Sequence, residues 1–328
     1  MSRLWMKRPR REREWLDHIK ALFDAPPSPA GIGDDCAVLK KDKTCVTTDA
    51  LAEGVDFERE WAPPEAVGWK ALAVNLSDLA AMGAKPSCFL LTLGIPPDCP
   101  DRWVEGLLAG TAALARIEKI KLIGGDLSGS RGGVFVSITA WGTLRAKPLL
   151  RGRARPGEGI YVSSPLGGAG EALKMFGKGA RLKKFALQGR DPGAGLLDRF
   201  YRPPSQSRLG RVLAGKKLAS SAIDISDGLL LDLSRLLEGT GCGALLSAEA
   251  IPRAASDNGD PVGLRNAMTS GEEQVLLFTV SKDRERYLPG GGKGIYRIGF
   301  VTPKRGIRVR DGGKVSMAGP AGFDHFDR

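Results

Sequence analysis

Residues 65–83 read EAVGWKALAVNLSDLAAMG, and the fold is decided here. The run is largely apolar and predicts a buried helix that ends at Gly83, just before Pro86. Asp78 lies within it, with Asn75 three residues earlier on the same face. A carboxylate on a buried helix must be paired or must bind a cation. The helix is therefore expected to pass beside an ionic site as well as through a core.

Working outward, TCVTTDAL (44–51) is rich in β-branched residues and predicts a strand. A strand over 88–95, a helix over 101–117, the short strand IKLIGG and the longer strand VFVSITAWGTL follow. Upstream, WLDHIKALF (15–23) has the spacing of an amphipathic helix. The Pro/Gly/Arg-rich stretch from Lys147 to Gly159 is the expected boundary between a domain of residues 1–150 and one of 151–328. Beyond it come the strand IYVSSPLGG, a helix near 169–177 and a polar, loop-rich section over 178–215. The strand SAIDIS then runs into a helix, LLLDLSRLLE, stopped by Gly239 and Gly241, with strands near 275–280 and 295–301. Both halves mix strands and helices, so the class is α/β or α+β.

Of the 328 residues 42% are hydrophobic and 26% charged, ordinary for a globular chain. The net charge of +12 suits a nucleic-acid partner or an anionic small substrate. No basic stretch is interleaved with aromatics, and the cluster Lys7, Arg8, Arg10, Arg11 and Arg13 reads equally as a solvated terminus. The five cysteines are odd in number and form no C-x-x-C pair. That argues against a zinc site or disulfide framework and for a reducing cytoplasm. No apolar signal region or membrane-length run is seen, so no membrane partner is expected.

The residues that carry chemistry are acidic and sit where elements begin or end. They are Asp34 and Asp35 in GIGDD, Thr47–Thr48–Asp49, Asp78, Gly124–Gly125–Asp126, and Asp224 with Ser226–Asp227–Gly228. Each alone has a plainer reading, as a helix cap or a turn. Converging, such carboxylates would repel one another unless divalent cations filled the gap, and Mg²⁺ takes oxygen ligands and phosphate oxygens. Glycines let a backbone approach phosphates, and the helix after Asp227 would aim its first N–H groups at an anion. The pattern points to nucleotide phosphoryl chemistry. No Walker A, G-x-G-x-x-G, H-R-D or D-F-G motif is present. The only histidines are His18 and His325, and no G-x-S-x-G accompanies them.

The stretches GIGDDCAVL, TTDALAEGVDF, KALAVNLSDLAAMGAKP, LIGGDLS, RGRARPGEGIYV, SAIDISDGLLLDLSRLLEGTGCGA, SGEEQVLLFTV and AGFDHF, in this order, resemble the thiamine-monophosphate kinase family. That family belongs to the superfamily of aminoimidazole ribonucleotide synthetase, selenophosphate synthetase and the hydrogenase-maturation dehydratase. The resemblance runs from about residue 31 to 326. It implies a two-domain, synthetase-like fold: an N-terminal mixed-sheet domain that binds ATP and metal and pairs into a homodimer, and a C-terminal α/β domain. It implies Mg²⁺ ligands at Asp35, Thr47, Thr48, Asp49, Asp78, Asp126, Asp224 and Asp227, several ions being held. ATP phosphates would meet Gly125, Asp126, Arg151 and Ser226. Glu272, Phe323 and the position of Asp56 would face thiamine monophosphate. The reaction implied is direct in-line transfer, with Asp126, Asp227 and Arg151 carrying it and no general base. The family usually has His-Phe where this chain has Asp56-Phe57, and Gly-Gly-Glu-Asp-Tyr-Glu-Leu where it reads Ser270–Leu276, keeping Glu272 and losing the Tyr. Two alternatives stay open. One is another ATP-dependent synthetase or kinase of the superfamily with a different acceptor. The other is a basic nucleic-acid-binding protein whose aspartates only cap and turn, with binding that falls steeply with salt.

Overall fold

The computed structural model describes residues 14, 34–39, 43–188, 195–292 and 294–323. The helix expected over 15–23, the basic N-terminal cluster and both histidines lie outside the described residues.

The expected central helix is α1, Pro64–Ala81, entered through Pro63-Pro64, and fifteen of its eighteen residues are buried. It is largely apolar around its circumference because it is covered on most sides. One flank lies on a five-stranded sheet, and the other on helices and strands of the second half. Helix α2 (Asp101–Glu118) crosses it closely. A Cβ on Gly68 would sit 1.9 Å from Leu107 O, and one on Gly110 would sit 1.9 Å from Glu65 O, so both positions must lack a side chain.

The first sheet has the order β1-β2-β5-β3-β4, formed by Ala37–Leu39, Thr44–Ala52, Phe135–Thr143, Lys85–Ile95 and Lys121–Gly129. All neighbours are antiparallel except β3 and β4. One face packs on α1 through Leu51, Leu91, Leu93, Val136, Ile138 and Ala140. Edge strand β4 is exposed along its whole length.

The second sheet has the order β12-β11-β8-β10-β6-β9-β7. Its strands are Lys314–Ala318, Gly306–Asp311, Gly243–Ser247, Tyr296–Thr302, Gly159–Val162, Val275–Val280 and Ala219–Ile225. Only β8 and β11 run parallel. Its helices, in chain order, are α3 (Gly168–Gly177), α4 (Leu196–Tyr201), α5 (Ser207–Gly215), α6 (Leu229–Leu236) and α7 (Leu264–Thr269). Both sheets are mixed, as expected of a two-domain α/β or α+β chain. Residues 144–158 contain no helix or strand between them.

Segment 178–215 differs from its reading as polar loop. It holds α4 and α5, and its aromatics dress α1. Phe185 meets Trp69 edge-on, Phe200 and Tyr201 pack at right angles, and the Arg202 guanidinium lies about 4 Å from both Trp69 and Phe185. Charged and polar residues are scattered through it, but Leu196, Phe200, Tyr201 and Leu213 are buried. Strands β1, β8, β11 and β12 and helix α7 were also not anticipated.

Candidate active site

Apart from Asp126, the expected acidic residues come from five places. Asp34 and Asp35 precede β1. Thr47 and Asp49 project from β2 toward α1, because their cross-strand partners Ala140 and Ile138 are on the buried face. Asp78 comes from α1, Asp224 from the end of β7, and Ser226 and Asp227 from the turn into α6. All of these line one cavity of about 510 Å³, together with Arg151, Arg235, Asp56, Glu272 and Phe323. Carboxylate oxygens of Asp35, Asp78 and Asp224 all lie within 4.8 Å of one another.

Side chains from both domains fix them. Thr47 Oγ1 donates to Asp78 Oδ2, Ser77 Oγ donates to Asp224 Oδ2 at 2.6 Å, and Arg151 pairs with Asp35. Arg235 pairs with Asp227 and, at 2.9 Å, with Asp232. Burial raises the Asp49 carboxyl to about 6, helped by Glu272, Asp227 and Asp56. Burial and the Asp35 charge raise Asp34 to about 6. Asp78 and Asp224 are pushed well above the carboxylate range, first by burial and then by neighbouring carboxylates. The buried oxygens Asp34 Oδ2 and Asp35 Oδ2 have no hydrogen-bond partner. A set of crowded, partly orphaned carboxylate oxygens fits a hard divalent cation such as Mg²⁺, which would reverse those shifts.

Several expected residues are placed differently. Asp126 pairs with Thr92, which pairs with Ser137, which pairs with Ala50. It therefore lies three strand spacings, about 14 Å, from β2 and on the face turned away from α1. Neither Asp126 nor Gly125 lines the cavity within one protomer. A Cβ on Gly125 would meet Leu91 O at 1.8 Å, so strand packing alone demands glycine there. Thr48 lines the rim of the cavity, but its hydroxyl donates to Ile138 O at 3.2 Å and accepts from Thr139 Oγ1 at 3.1 Å. Asp56 reaches the cavity, but its Oδ2 accepts the Ala52 N–H at 2.7 Å and so closes a turn. The amides at the start of α6 are not free for an anion. Those of Ser226, Asp227 and Gly228 all donate to Asp232 Oδ2, at 3.0–3.1 Å.

Asp232 and Ser77 were therefore missed. Asp232 is fully buried and raised to about 7 by burial and by Asp227. Its signal was a helix opening on glycine, with no capping side chain, and an acid in the first turn. Ser77 had no sequence signal beyond standing next to Asp78.

The AIR synthase related protein models match this chain, the N-terminal domain over residues 33–144 and the C-terminal domain over 155–312. A thiamine-monophosphate kinase of Buchnera aphidicola subsp. Acyrthosiphon pisum is 32% identical, covering 90% of this chain and 92% of that protein. The thiamine-monophosphate kinase of Escherichia coli (strain K12) is 35% identical over 90% of this chain and 91% of its own length. Among solved structures, AaThiL complexed with AMPPCP and TMP superposes with a TM-score of 0.80 at 30% identity, covering 96% of this chain and 97% of that one.

Proposed function

Because this chain belongs to the thiamine-monophosphate kinase family of AIR synthase related proteins, we propose that it moves the γ-phosphoryl group of ATP onto the phosphate of thiamine monophosphate. The observation that carries this reading is the single cavity in which the carboxylates of Asp35, Asp78 and Asp224 meet beside Arg151. A relative with 30% identity and nearly full coverage binds AMPPCP, an analogue of ATP, together with TMP.

Asp35, Thr47, Asp49, Asp78, Asp224 and Asp227 are the residues to hold Mg²⁺, with Thr48 beside them. Mg²⁺ bound there supplies charge neutralisation along the phosphate chain. Arg151, which pairs with Asp35 in the cavity, is the residue to hold a phosphate oxygen, and the Ser226 hydroxyl is the group to donate to another. Phe323 and Glu272, which line the same cavity, are the residues to meet the acceptor. The attacking group is an acceptor phosphate oxygen, ionised at neutral pH, so the chain supplies no general base. That oxygen bonds to the γ-phosphorus as the bond to the β,γ-bridging oxygen breaks, leaving ADP and thiamine diphosphate.

We take the active form as a homodimer made through the first sheet. Leu122, Ile123 and Leu127 on β4 are 55%, 60% and 73% exposed, and Phe135 on β5 is 41% exposed. A second copy over this face and edge would bring Gly125 and Asp126 of one protomer to the cavity of its partner, which one protomer does not do alone. On this view residues 1–150 form the ATP-binding, metal-binding and dimerisation domain and residues 151–328 the second domain. No helix among the described residues is long and apolar enough to cross a membrane. The five free thiols suit a reducing, cytoplasmic setting.

Purified protein incubated with ATP, Mg²⁺ and thiamine monophosphate should accumulate thiamine diphosphate, read by chromatography. No product with any divalent metal would remove this reading.

A further inference from the structure

Helix α1 carries a second ionic group besides Asp78, and this one is fully buried. The Lys70 side chain is 1% exposed, and its Nζ lies 2.9 Å from Glu272 Oε2. The same Nζ stands 3.3 Å from the centre of the Phe200 ring and 5.8 Å from that of Tyr201. The Glu272 contact is an ion pair without hydrogen-bond alignment. Burial lowers the Lys70 pKa, while Glu272 and then Asp56 oppose that shift.

A buried lysine is costly, and an apolar residue of similar length would pack against Phe200 more cheaply. The core therefore does not call for this charge, whereas Glu272 does. Glu272 stands at φ +69°, held by its N–H donating to Ser226 O at 2.6 Å. Its carboxylate lines the acidic cavity and acts electrostatically on Asp49. Without a cation behind it, Glu272 would be driven away from Asp49 and Asp56. Lys70 takes the buried oxygen, Oε2, which leaves Oε1 for a ligand. Leu173, Val55 and Phe323 supply apolar surface in the same cavity.

We propose that Lys70, backed by the Phe200 ring, is a positioning residue that fixes the Glu272 carboxylate to receive the cationic ring of the phosphate acceptor. This rests on the kinase reading above. It adds a residue that touches neither nucleotide nor acceptor and acts only through Glu272.

The test is steady-state kinetics on the full-length protein with both substrates varied. Lys70→Met keeps the stem and removes the charge. It should raise KM for thiamine monophosphate on the order of tenfold and leave KM for ATP within about twofold. In a Glu272→Gln background the same change should add less than about twofold, because the two residues act as one unit. Phe200→Leu should shift the acceptor KM in the same direction by less, and it stands in if Lys70→Met fails to fold. An unchanged acceptor KM in the folded variant, equal rises in both KM values, or multiplying effects of Lys70→Met and Glu272→Gln would each overturn the proposal. A wild-type protein that makes no thiamine diphosphate would instead remove the kinase reading, and this inference with it.

Discussion

Asp78 lies on a helix buried on most sides, yet its carboxylate shares a small space with those of Asp35 and Asp224. Without a cation these groups oppose folding as they ionise. Asp34 and Asp49 have folded-state values of about 6, above the ordinary 3.8. Groups raised in this way add stability that is fully present below about pH 4 and lost as the pH rises through 6. The metal-free protein should therefore melt at a lower temperature at pH 7 than at pH 5. Mg²⁺ should close most of that gap at pH 7, and Asp78→Asn should flatten the metal-free profile. Calorimetry across that range checks this, and a metal-free melting temperature that rises from pH 5 to 7 would count against it. The acidic residues that line the cavity were legible because they stand at element ends or alone on an apolar helix. Lys70 was not singled out. A lysine on a helix normally reaches solvent, and only the approach of Phe200 and Glu272 from distant segments buries it.

At the element scale the turn from β7 into α6 does the positioning. Gly228 at the helix start offers no capping side chain, so Asp232 reaches back to three backbone N–H groups and to Arg235. Asp232→Ala should cost about 3 kcal/mol of stability, typical of losing a buried, charge-assisted cluster. It should also lower kcat/KM by roughly tenfold or more, since Ser226 and Asp227 lose their support. Denaturant titration and steady-state kinetics measure the two effects, and a variant as stable and active as the parent would refute this role. Strand 44–51 and the helices at 65–83, 101–117 and 229–238 were readable because β-branched runs and leucine spacing state their own periodicity. Helices α4 and α5 were not. Their burial rests on Phe200, Tyr201 and Leu213 meeting α1 and the second sheet, which no local pattern records.

For the whole molecule, the placement of Asp126 sets the sharpest expectation. Within one protomer it stands across the sheet from Asp49, so the proposed dimer must join them. Asp126→Asn and Asp49→Asn proteins should each be nearly inactive. Mixed and allowed to exchange protomers, they should recover roughly a quarter of wild-type activity, since random pairing leaves one intact site in half of the dimers. No recovery despite proven exchange would place Asp126 and Asp49 in the same protomer's site or outside it. The proposed dimer face was open to sequence only through the family resemblance, because exposed leucines on an edge strand look the same locally as buried ones.

The most direct measurement is a titration of Mn²⁺ in place of Mg²⁺, followed by its paramagnetic resonance signal, with and without a non-hydrolysable ATP analogue. Binding should tighten when the analogue is present and weaken at least about tenfold in Asp78→Asn and Asp224→Asn, each of which removes a negatively charged oxygen ligand. Equal binding by the wild type and both variants, with no response to the nucleotide, would contradict a carboxylate cluster that holds a phosphate chain through divalent metal.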